Sequence, residues 1–78
     1  MDVDQITEKV IGVLASALNV GQNDVTPQLA FGDMPQWDSM GHMEVMVSLE
    51  ENFGVEVNAD TISNLISVPA IVAHISEK

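Results

Sequence analysis

The stretch that most constrains this chain is Asp38-Ser39-Met40 with the run Gly41 to Phe53 behind it. Asp38 is a strong N-cap residue, because its carboxylate can accept from the free N–H groups of a first helical turn. Ser39 then takes the first helical position, with its hydroxyl at the mouth of the helix. From there apolar residues recur at spacings of three and four. Met40, Met43, Met46 and Val47 form one row, with Val45, Leu49 and Phe53 beside it; this row is expected to be core, the alternative being that its adaptable methionines line a cavity. Glu44, Ser48 and Glu51 fall on the remaining arc, the side expected to face water. Glu50 lies nearer the apolar arc and is expected to be partly covered. Gly54 stands where a glycine commonly ends a helix.

The rest of the chain reads around that helix. Met1 to Leu18 predicts a first helix, capped by Asp2 or Asp4, with Ile6, Val10, Ile11, Val13, Leu14, Ala17 and Leu18 as its stripe. Gly12 inside it predicts a closely packed neighbour, and Asn19-Val20-Gly21 stops it. Residues 22–37 show neither helical nor strand period. Turn residues punctuate them, and Val25, Leu29 and Phe31 serve as spaced anchors. A connection of that length without an element is unusual in a compact domain and is often functional. Val55-Glu56-Val57 alternates but has no partner strand, so it reads as an extended link. Asn58 or Asp60 caps a short third helix bearing Ile62, Leu65 and Ile66. Ser67 caps a fourth, where Pro69 is harmless in the first turn and Val68, Ile71, Val72 and Ile75 are apolar. The expected fold is all-α: a small antiparallel bundle of three main helices plus one short helix, in a single domain over 1–78, with a long loop between helices one and two.

Composition narrows the function. Apolar residues make up 46% of the chain, enough for one core, and with only three aromatics that core is expected to be aliphatic and Met-rich. There is no Cys, hence no disulfide and no thiolate metal site. Twelve acids face two lysines, a formal charge of −10, which disfavours nucleic acid and anionic membrane as partners. Such a surface attracts basic proteins at long range. No apolar run approaches membrane-spanning length and no signal segment opens the chain, so the expected setting is cytoplasmic.

Catalysis and metal binding find little support. Ser39, Asp38 and His42 invite a triad reading, but acyl-transfer chemistry also needs an oxyanion hole and a cleft. His42 and His74 read as peripheral, and two separated histidines make no zinc site. No calcium loop of alternating acids is present.

Trp37-Asp38-Ser39-Met40, followed by Glu44 and Leu49-Glu50-Glu51-Asn52-Phe53, resembles the acyl carrier protein family, and the likeness runs from Ile6 to Ile75. Val25-Thr26 and Ser67-Val68 also sit at the family's spacing. The resemblance implies a carrier and not an enzyme. Ser39 would bear 4′-phosphopantetheine derived from coenzyme A, and the arm's thiol would hold acyl groups as thioesters. It implies a phosphopantetheinyl transferase and acyl-loading and acyl-processing enzymes with basic surfaces as partners of a monomeric chain. Asp38 would contact the transferase, and Trp37, Met40, Glu44, Glu50 and Glu51 would form the docking surface. Trp37 reads equally as a loop anchor. Met40 replaces the usual Leu, Gly41 stands where an acid is common, and Pro35-Gln36-Trp37 replaces Leu-Gly-Ala. These departures thin the acidic surface and resemble free-standing carriers of specialised acyl transfer more than those of fatty acid synthesis. Fatty acyl, polyketide and aminoacyl or peptidyl cargo all fit such a carrier. A plain helical adaptor with Ser39 unmodified is the rival of a different class.

Overall fold

The computed structural model describes residues 2–77. Its helices are α1 (Val3–Leu18), α2 (Ser39–Phe53), α3 (Ala59–Asn64) and α4 (Val68–Ser76), with a single 3-10 turn at Gln22–Asp24. Met1, placed in the first helix on periodicity, lies outside the described residues.

Each boundary has a local cause. The Asp2 carboxylate accepts from Asp4 N–H to open α1, and Asn19 closes it in the left-handed conformation at φ 59°. The Asp38 side chain accepts from Gly41 N–H at 2.8 Å, and Gly54 ends α2 at φ 70°. Asn58, not Asp60, caps α3, in a reciprocal box with Thr61. Ser67 caps α4 through Ala70 N–H.

Helix α1 packs against both α2 and α4, and α3 packs chiefly on α2. The core between them holds Val10, Leu14, Val45, Met46, Leu49, Val55, Val68 and Ile71, all nearly or fully inaccessible to water. The loop over 22–37 is better built than its sequence suggests. Val25 and Leu29 are buried anchors as expected, whereas the third expected anchor, Phe31, leaves its side chain exposed, and Ala30 forms an isolated antiparallel bridge with Ser67. Phe31 N–H donates to the Ile66 carbonyl and Val68 N–H to that of Leu29, both at 2.8 Å. Two short backbone bonds thus fasten the loop to the link between α3 and α4.

Three packing expectations are corrected. The buried face of α2 is His42, Val45, Met46 and Leu49, whereas Met40, Met43 and Val47 are exposed. The core is therefore not Met-rich: Trp37, wholly inaccessible, is its largest side chain. Glu50 is exposed, not partly covered. The helix carries apolar residues on nearly every side, and a polar residue, His42, marks the inward one.

The close approach expected at Gly12 occurs at Gly41. A β-carbon on Gly12 would meet Gln22 Nε2 at an ordinary 3.5 Å. One on Gly41 would overlap the Gln36 carbonyl oxygen and lie 3.1 Å from Leu18 Cδ2. Because the nearest obstacle is backbone, relief requires moving the loop. Gly41→Ala is expected to destabilise the fold by about 1–3 kcal/mol, the usual cost of overpacking. A urea midpoint equal to that of the parent chain would show that the Gln36 segment yields freely.

Candidate functional site: the head of helix α2

Ser39 occupies the first position of α2 and is exposed, one residue beyond the Asp38 cap. The Asp38 carboxylate takes the Gly41 N–H, and its carbonyl takes the His42 N–H at 2.7 Å. The N–H groups of Ser39 and Met40 lie in the first turn, where no intrahelical acceptor exists. They and the dipole of a fifteen-residue helix favour an anion beside the serine oxygen. A phosphodiester on Ser39 Oγ would therefore stand in water at the positive end of a helix, and the residues present fit that group.

Down the exposed face from Ser39 run Met40, Glu44, Val47 and Glu51, at helical spacings i, i+4, i+7 and i+11, with Glu50 at its edge. Met40 is 81% exposed, far beyond what a core methionine would show. Apolar and acidic groups alternate on this stripe.

Trp37 is not part of that surface. Its indole is buried behind the loop and donates from Nε1 to His42 Nδ1 at 3.1 Å. The docking role expected of it is corrected on that ground: no face of the ring reaches solvent. His42, expected at the periphery, is only 5% exposed and is corrected likewise. Its Nε2 lies 2.7 Å from the Ile62 carbonyl. Indole nitrogen is a donor only, so Nδ1 accepts, and the ring proton sits on Nε2 and is donated to Ile62. One imidazole thus ties the loop to α2 and α2 to α3. With both nitrogens committed, it has none left to activate Ser39.

An apolar groove of about 500 Å³ opens beside Ser39, between α2 and α3. Phe31, Met43, Ile62 and Ile66 wall it, and His42 lies at its inner side. Phe31 meets the His42 ring edge-on, at 5.7 Å between centroids. A larger cleft of about 780 Å³ lies among α1, α4 and the end of α2, lined by Lys9, Ser16, Gln22, Ser48 and Asn52 among others. It includes no residue near Ser39, and its lining is mixed, with Ile6, Val13, Phe53 and Ile75 beside those polar groups. Of the residues singled out in the sequence, Ser39, Asp38 and Met40 come together, and Glu44, Glu50 and Glu51 continue the same face. Of the methionine row that could alternatively line a cavity, only Met43 borders this groove, and the part His42 plays in it was not legible. Its one signal was the spacing of His42 with Val45, Met46 and Leu49, a clean inward stripe once histidine is allowed on it.

Among the described residues, no helix is long and apolar enough to cross a membrane. Residues 8–75 match the family model for the phosphopantetheine attachment site. The chain is similar to an acyl carrier protein of Thermosynechococcus vestitus, at 32% identity over 100% of this chain and 96% of that one. One of Rubrobacter xylanophilus is 30% identical over 99% and 95% of the two chains. One of Helicobacter pylori is 34% identical over 90% of each. With its match running nearly from end to end, the chain belongs to the phosphopantetheine attachment family as an acyl carrier protein, a carrier and not a catalyst.

Proposed function

We propose that Ser39 is the attachment residue, and that the chain carries acyl groups between enzymes on an arm tethered there. The observation that carries this reading is an exposed primary hydroxyl at the head of α2, behind an Asp38 cap and beside an apolar groove. In the loading step Ser39 Oγ attacks the β-phosphorus of coenzyme A. A new P–O bond forms as the bond to the adenosine bisphosphate leaving group breaks, and the hydroxyl proton passes to a base of the transferase. This chain presents the oxygen and steadies the product anion with first-turn N–H groups. Once in place, the arm supplies a thiol that holds the cargo as a thioester.

Met40, Glu44, Glu50 and Glu51 form the docking face, and Asp38 meets the transferase beside them. Met40 offers an exposed apolar anchor, and the acids steer partners rich in Lys and Arg, raising encounter rate more than affinity. The groove shelters the cargo, since a tethered chain is present at high effective concentration.

The test uses a broad-specificity transferase with coenzyme A. The protein is expected to gain the mass of one arm, on a peptide containing Ser39. Glu44→Lys combined with Glu51→Lys is expected to slow that gain on the order of tenfold at low salt, with the difference shrinking as salt is added. No mass gain, with a control carrier modified alongside, would overturn the carrier reading. Equal rates for parent and variant at low salt would remove the acids from the docking face.

A further inference from the structure

The groove beside Ser39 is open to solvent along its length and closed at its inner side by aromatic rings. Phe31 stands at the rim, His42 beneath it and Trp37 behind His42, with 6.1 Å between the last two centroids. The exposures fall in the same order, from Phe31 at 42% through His42 at 5% to none for Trp37. Deeper in, Val45, Met46 and Leu49 are fully covered. The way from the groove into the space between α1, α2 and α4 is thus filled by two rings.

Those rings are not free to swing aside. A buried imidazole that turned away would strand the Trp37 N–H, the Ile62 carbonyl, or both, and an unpaired buried polar group is costly. Every buried side-chain nitrogen and oxygen among the described residues has a partner. The same hydrogen bond to Ile62 holds α3, the wall facing Met43, at a fixed distance from α2. Helix α3 has only six residues and packs chiefly on α2, so this bond helps to set the groove's width as well as its depth.

We propose that His42, braced by Trp37 and pinned to Ile62, is a specificity-determining plug that ends the groove. The carrier then shelters short acyl groups and leaves the far end of longer ones in water. The inference rests on the carrier reading, because the occupant is the acyl chain of an arm attached at Ser39. It differs from a general apolar shelter by fixing an upper limit to the cargo length that benefits.

The limit can be read from thioester reactivity. The holo carrier is loaded with straight-chain acyl groups from butyryl to dodecanoyl. Cleavage by hydroxylamine is then compared with that of the same acyl-pantetheine free in solution. Protection is expected to grow with the first methylenes, by up to about fourfold for each one fully buried, and then to level off. In His42→Ala the plateau is expected to move to longer chains. In His42→Gln, whose amide can accept from Trp37 and donate to Ile62, it is expected to stay where the parent has it. Protection that climbs steadily to dodecanoyl in the parent chain overturns the plug, as does no protection at any length. The parent series decides this even if His42→Ala fails to fold. A folded His42→Ala with an unmoved plateau also overturns it. Failure of the carrier reading looks different, since no arm then appears in the mass spectrum.

Discussion

A Ser39→Ala chain is expected to fold as its parent does and to accept no arm. Two arguments separate the two halves of that result. The serine is at the first position of α2 and is not the cap; the Asp38 carboxylate performs that task through Gly41. Its side chain is exposed, so truncation opens no cavity. Alanine is also the better helix former, by about half a kcal/mol at most. The thermal midpoint should therefore hold or rise slightly. Attachment, in contrast, needs an oxygen nucleophile at that position, and alanine has none. Loss should be complete, not graded. Intact mass after incubation with transferase and coenzyme A checks the second half, and a thermal melt checks the first. An arm found on the Ser39→Ala chain would move the attachment site to another exposed hydroxyl, such as that of Ser63 at the groove. A collapsed midpoint would instead give Ser39 a structural task that its surroundings do not show.

The parts of the molecule legible in the sequence are those fixed by local chemistry. Helix α2 begins and ends where Asp38 and Gly54 put its boundaries, and Ser67 with Pro69 opens α4 in the same way. Those residues act within a turn of themselves, so no distant contact can override them. The facing of α2 was not legible. Met40, Met43 and Val47 look like core on hydrophobicity alone, and only the position of the loop shows that they face outward. A preference for burying apolar residues runs one way, and exposed apolar residues are common on folded proteins.

The peripheral place expected of His42, and the even choice between anchor and docking residue for Trp37, have a related cause. Each carries a polar atom, and each looks peripheral until the other is seen to satisfy it. Gly41 and Gln36 form a second such pair. The resemblance marks both positions as departures, and separately neither has a meaning. Together they let the loop carbonyl seat against α2, which draws Trp37 beneath the site. Single-residue signals could not show this, because the information lies in contacts between the loop and the helix.

Trp37→Ala is expected to be the most destabilising single change in the chain. Truncating a buried tryptophan costs about 3–5 kcal/mol through lost transfer energy and the cavity left behind. It also removes the donor that His42 Nδ1 accepts, although water entering the vacated space can offset part of that loss. At roughly 0.05–0.15 kcal/mol per residue, a domain of 78 residues has only about 4–12 kcal/mol in all. The variant should therefore be largely unfolded at moderate urea, or marginal in buffer. Trp37→Phe keeps most of the ring and loses the N–H, so it should remain folded with a smaller loss of about 1–3 kcal/mol. The pair also tests the correction made to the docking surface. A buried Trp37 acts on the site only through the fold, so Trp37→Phe should load its arm at the parent's rate wherever it is folded. If Trp37→Phe were as stable as the parent but slow to load, the indole would have to touch the transferase directly. The loop would then have to open for docking, and Trp37 would return to the recognition surface from which its burial removes it.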